Sequence, residues 1–78
     1  MTELPRLVGP EGLVGRVTGR VGPGTVGEVI VVIRGGREAF YAYPADGHEE
    51  IPIGDDALVI EYIPPREVKV TKFDYSGI

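Results

Sequence analysis

Gly27-Glu28-Val29-Ile30-Val31-Val32-Ile33-Arg34-Gly35-Gly36-Arg37-Glu38-Ala39-Phe40-Tyr41-Ala42-Tyr43-Pro44 is the stretch that decides the fold. Two runs rich in β-branched and aromatic residues flank a pair of glycines, which predicts two strands joined by a tight hairpin. The turn is expected at Arg34-Gly35-Gly36-Arg37, with the glycines supplying the positive φ of a type I′ turn. The second and third strands are then antiparallel neighbours. A period of two puts Phe40 and Ala42 on one face of the third strand and Ala39, Tyr41 and Tyr43 on the other. Residues 29–33 are apolar on both faces, as expected of a strand covered on each side.

Outward from this hairpin, glycine and proline punctuate the whole chain, twelve and seven of them in 78 residues. They cut it into five strand candidates, at 13–21, 27–34, 38–44, 57–63 and 67–73, and no stretch offers a helix. Five short strands separated by turns predict an all-β fold, a small closed or partly open barrel. In the first strand Leu13, Val17 and Val21 are expected to point inward. Gly15 and Gly19 share that face, where missing side chains permit the coiling a small barrel needs. Residues 46–56 hold Gly47, Pro52 and Gly54 and read as a loop with a short extended piece at Ile51 and Ile53. Asp55 and Asp56 are expected to bond the local turn backbone. Pro64-Pro65 ends the fourth strand, and Val68 and Val70 alternate with Glu67, Lys69 and Thr71 in the strand that closes the barrel. The domain boundaries follow: a lead-in at 1–12, the barrel at 13–73 and a tail at 74–78.

A chain of this size buries roughly 60% of the surface it exposes when unfolded, so the core must be economical. With no cysteine it has neither disulfide staples nor a thiolate metal site, and stability rests on apolar packing and sheet closure. The longest apolar run falls far short of the roughly 20 residues that cross a bilayer. Residues 1–10 carry Glu3, Arg6 and prolines 5 and 10, which is unlike a signal peptide. A cytoplasmic location is expected. Eight basic against twelve acidic residues give a net charge of −4, a field that repels polyanions and disfavours nucleic acid.

Catalytic and metal chemistry find little support. The one serine, Ser76, lies in the tail, which excludes a Ser–His–Asp triad. His48 sits beside Glu49 and Glu50, but consecutive side chains on extended backbone point apart. It is expected to be a solvent-exposed loop residue, without a second nitrogen ligand for a metal. Adjacent Asp55 and Asp56 do not converge as a glycosidase pair or a calcium loop requires. Gly22-Pro23-Gly24-Thr25 has no following helix to hold phosphate and is a turn. No enzyme activity, cofactor or metal is therefore expected.

The surface candidate is aromatic. Phe40, Tyr41 and Tyr43, with Tyr62 expected nearby, could serve as core, as a protein contact, or as a stacking surface for single-stranded nucleic acid with Arg34 and Arg37 on phosphates. Arg37, Tyr41 and Tyr43 are the candidate partner contacts, with Ala42 leaving space between them.

Taken in order, Leu13-Val14-Gly15-Arg16-Val17-Thr18, Pro23-Gly24-Thr25-Val26-Gly27-Glu28-Val29, Gly35-Gly36-Arg37-Glu38-Ala39-Phe40-Tyr41-Ala42-Tyr43, Ile51-Pro52-Ile53-Gly54 and Leu58-Val59-Ile60 resemble the C-terminal soluble domain of NfeD-like proteins. The resemblance covers residues 13–73. It implies a five-stranded OB-type barrel lacking the usual helix between the third and fourth strands, in keeping with the broken 46–56 loop. It further implies a barrel that faces the cytosol and acts with flotillin- or stomatin-type partners in membrane organisation. Longer members carry membrane helices, and some a Clp-type serine protease domain. The 78 residues hold neither, so a stand-alone soluble member or an excised domain is expected, reaching a membrane through a partner. The family's barrel has no catalytic motif to carry over.

Overall fold

The structure is a computed structural model that describes residues 9–74. Most of the expected lead-in and of the expected tail, with Ser76, lies outside those residues. Five strands form, β1 (Val14–Gly19), β2 (Gly27–Ile33), β3 (Gly36–Pro44), β4 (Asp56–Ile63) and β5 (Glu67–Lys72). They close into one barrel in the order β1-β2-β3-β5-β4, with β4 returning to β1. Every neighbouring pair is antiparallel except β3 and β5, which run parallel. Among the described residues there is no helix, and hence none long and apolar enough to cross a membrane.

Alternation builds the core. Val29, Val31 and Ile33 of β2, Phe40 and Ala42 of β3, Ala57 and Val59 of β4, and Val68 and Val70 of β5 all point inward, joined by Val17, Val21 and the loop residue Ile51. Burying each of the larger side chains stabilises the fold by about 1.5–3 kcal/mol. β1 is shorter than the expected 13–21 because its register shifts between Val17 and Gly19. A bulge there bends the chain, and Val21 instead forms an isolated bridge to Ile51. Gly15 fits the coiling role. A Cβ on it would lie 2.7 Å from the Ile30 carbonyl oxygen.

Four expectations are corrected. Leu13 is not inward: it is 37% exposed, because its carbonyl accepts from Val59 N–H at the rim of the barrel. β2 is covered on one side only, since Val32 is 68% exposed and no described element packs over the outer sheet. The hairpin turn is Arg34-Gly35, with φ of 52° and 77°, and Gly36 already pairs with Ile33 as the first residue of β3. A two-residue type I′ loop needs positive φ at both central positions, so one of them falls on an arginine. Finally, the turn acids of 55–56 serve cross-strand pairs: Asp56 accepts from Arg16 at 2.9 Å and Asp55 lies 3.4 Å from Lys72.

Candidate partner-binding face

β3 is the hub of the outer surface because it has β2 on one side and β5 on the other. Its outward residues are Arg37, Ala39, Tyr41 and Tyr43, as the period of two requires. In register, Tyr41 lies opposite Glu28 on β2 and Glu67 on β5, and Tyr43 lies opposite Lys69 on β5. Tyr41 is 55% exposed, whereas Tyr43 is half-buried. They share a face but line different depressions. Tyr41 borders a groove of about 330 Å³ with Arg37, Ala39 and Arg66. Tyr43 borders one of about 310 Å³ with Pro23, Gly24 and Lys69.

The aromatic cluster is thus divided. Phe40 is 3% exposed and stacks edge-on against Tyr62, with ring centroids 5.9 Å apart, so Phe40 belongs to the core and the partly buried Tyr62 packs against it. The Tyr62 hydroxyl donates to the Pro65 carbonyl at 3.0 Å. Ala42 is fully buried on the opposite face and leaves no space between the tyrosines. The outward residue between Arg37 and Tyr41 is Ala39.

Charge around this face is paired only in part. Arg34 and Arg66 both engage Glu38, at 3.3 and 3.6 Å, so Arg34 is occupied at the hairpin turn. Arg66 also donates to the Ala39 carbonyl at 3.3 Å and lies 5.8 Å from the centre of the Phe40 ring, a cation–π distance. The Glu28 carboxylate accepts from the Thr18 hydroxyl at 2.6 Å. Arg37 has no hydrogen-bonding or ionic partner among the described residues. Arg66 escaped sequence reasoning because its contacts depend on the parallel pairing of β3 with β5, strands far apart in the chain.

His48 is exposed in the loop after β3. Its backbone N–H and that of Glu49 both donate to Asp46 Oδ1 at 2.8 Å, an Asx turn. Glu49 turns away from His48 and accepts from the Thr71 hydroxyl at 2.8 Å and the Lys72 N–H at 3.1 Å, tying the loop to β5. No group of three or more metal-ligating side chains converges among the described residues. The His48 and Glu49 backbone donors hold the Asp46 carboxyl below its ordinary value of 3.8. A depressed folded-state pKa adds stability above the unfolded value and loses it as pH falls through the folded one. Asp46→Ala is therefore expected to lower the thermal midpoint at neutral pH, with the deficit shrinking as pH falls below 3.8. Melts of parent and variant at both pH values check this, and an equal deficit at both contradicts it.

Residues 14–71 match the family described as the NfeD C-terminal domain. No curated protein and no solved structure matches the chain.

Proposed function

The chain belongs to the NfeD C-terminal domain family, and from that premise we propose that it is a non-enzymatic protein-interaction module whose outer β3 face docks on a flotillin- or stomatin-type membrane scaffold. In this role it contributes to membrane organisation from the cytoplasmic side, and its contact with the membrane runs through the partner. The observation that carries the proposal is Tyr41, a large ring left 55% exposed on a sheet face that no described element covers, in one groove with Arg37, which has no partner among the described residues. Tyrosine and arginine are enriched at protein–protein hot spots. The barrel interior is filled by apolar side chains, so binding falls to the surface.

Single-stranded nucleic acid is the competing occupant of the same face. Glu28 and Glu67 flank Tyr41 in register, and the chain carries a net charge of −4. Both oppose a phosphate backbone.

The test is capture from native extract with membranes included, using the parent domain and the Tyr41→Ala/Tyr43→Ala variant as baits. The parent is expected to recover a flotillin- or stomatin-type protein and the variant at least about tenfold less, a loss of about 1.4 kcal/mol. The variant should still unfold cooperatively, each substitution costing no more than about 1 kcal/mol. Equal recovery by both baits would reject the face, and recovery of nucleic acid alone would reject the protein partner.

A further inference from the structure

β3 is paired along only part of its second edge. β2 accompanies it from Gly36 to Ala42, but β5 joins only at Tyr41, opposite Glu67. Residues 64–66 form the turn from β4 into β5, so the chain arrives beside β3 only at its second half. Among the described residues the first half of β3 therefore keeps a bare edge.

Which backbone groups lie on that edge follows from the ladder. In a two-residue hairpin the residues flanking the loop form a hydrogen-bonded pair, here Ile33 and Gly36. Bonding then alternates, so Gly36, Glu38, Phe40 and Ala42 bond to β2, and Arg37, Ala39 and Tyr41 point away from it. Two further bonds agree: Tyr41 N–H donates to the Arg66 carbonyl at 2.8 Å, and the Ala39 carbonyl accepts from the Arg66 guanidinium at 3.3 Å. The open groups are thus the N–H and C=O of Arg37 and the N–H of Ala39, with Arg66 capping the Ala39 carbonyl. The groove bordered by Arg37, Tyr41 and Arg66 runs beside them.

We propose that this edge takes up an extended peptide segment of a partner, which adds as a strand beside Arg37–Ala39 and directs a carboxylate at Arg37. Only extended backbone offers N–H and C=O groups at the strand repeat the edge presents. The carboxylate follows from Arg37, which has no anion among the described residues while Arg34 and Arg66 share Glu38. The segment's other face meets the Phe40 ring once Arg66, 5.8 Å from the ring centre, is displaced, and apolar side chains suit it. A second copy of the chain fits poorly. Antiparallel pairing of two such edges centred on Arg37 or Glu38 sets like charges directly opposite, which destabilises a sheet, and centring on Ala39 runs into Tyr41, whose N–H already bonds the Arg66 carbonyl. Arg66 is a displaceable plug, since its side chain is 55% exposed and exposed ion pairs are weak.

The inference deepens the docking role proposed above and rests on it for the identity of the partner. It is tested without that partner by titrating the domain with the blocked peptide Thr-Val-Glu-Val-Glu-Val-Thr and following backbone amides by NMR. Expected is a dissociation constant on the order of 1 mM, with shifts centred on Gly36 to Tyr41 and on Arg66. Alternate N-methylation of the peptide should abolish the shifts, and lysine in place of its glutamates should weaken binding several-fold. Ala39→Pro removes an edge N–H without touching the β2 ladder, and it should abolish binding in a folded barrel. If that variant fails to fold, the N-methylated peptide carries the same test.

Shifts that are absent, fall elsewhere or survive N-methylation overturn the inference. Failure of the docking role is separable: peptide binding with no scaffold protein captured rejects the partner and upholds the edge. Scaffold capture undiminished by Ala39→Pro rejects the edge and upholds the partner.

Discussion

Phe40→Ala is expected to cost about 3–5 kcal/mol, the range for truncating a buried aromatic to alanine. A chain of 78 residues holds about 4–12 kcal/mol in all at the usual stability per residue, so the variant should be close to unfolded. Phe40 is 3% exposed and packs edge-on against Tyr62, a geometry that adds about 0.5–1.5 kcal/mol beyond area burial. The loss also takes the ring from beneath Arg66. At about 4–8 °C per kcal/mol for a domain of this size, the midpoint should fall by more than about 12 °C, if a cooperative transition survives. Tyr41→Ala, one residue away on the opposite face, should change stability by no more than about 1 kcal/mol, the span of strand propensity. Thermal melts of the two variants side by side check the division of the rings, and similar losses would refute it.

Gly27→Ala should be nearly as damaging despite adding a single methyl. A Cβ at Gly27 would stand 2.8 Å from Val21 Cγ2, 2.9 Å from the Arg20 carbonyl oxygen and 2.9 Å from Val21 Cα. Two of those three are backbone atoms, which cannot swing aside, so β2 and the segment after β1 must separate. That separation strains the reciprocal bonds between Val21 and Ile51, at 2.9 and 3.0 Å, which hold the 46–56 loop over the end of the barrel. Overpacking of this kind costs about 1–3 kcal/mol and occasionally more, and the upper part of that range is expected here. Gly36→Ala supplies the contrast. Nothing lies within 4 Å of its Cβ position and its φ is not positive. That substitution should raise stability by about 0.4–1 kcal/mol by restricting the unfolded chain. Denaturant melts of both variants measure the difference, and a neutral Gly27→Ala would contradict the close packing.

Much of this barrel is legible in the sequence because strand alternation and turn chemistry are local. The hairpin of β2 and β3 was readable from the Gly-Gly pair between β-branched runs, and the inward residues Val17, Val21, Val68 and Val70 from a period of two. The turn itself shifted by one residue, because Ile33 pairs with Gly36 and so places Arg34 at a positive φ. Leu13 broke its pattern because it lies at the rim, bonded to Val59 rather than carried into the core. Periodicity reports which face a residue is on, not whether anything covers that face, and Val32 shows the difference.

The candidate site was legible only in part. Facing patterns separate Tyr41 from Phe40, and Arg37 falls on the same side as Tyr41. What surrounds them was out of reach, because Arg66 and Glu67 arrive through the parallel pairing of β3 with β5. Ala42 was misjudged for a simpler reason. It lies between the two tyrosines along the chain, and the pleat turns it to the opposite face of the sheet.

Contact through the outer face of β3 should be visible in ring-labelled tyrosine NMR of the domain with and without native membranes. Tyr41 and Tyr43 are expected to broaden or shift on addition of membranes, while Tyr62, packed on Phe40 with its hydroxyl bonded to Pro65, stays unchanged. Unaltered Tyr41 and Tyr43 signals, or changes at Tyr62 alone, would contradict it.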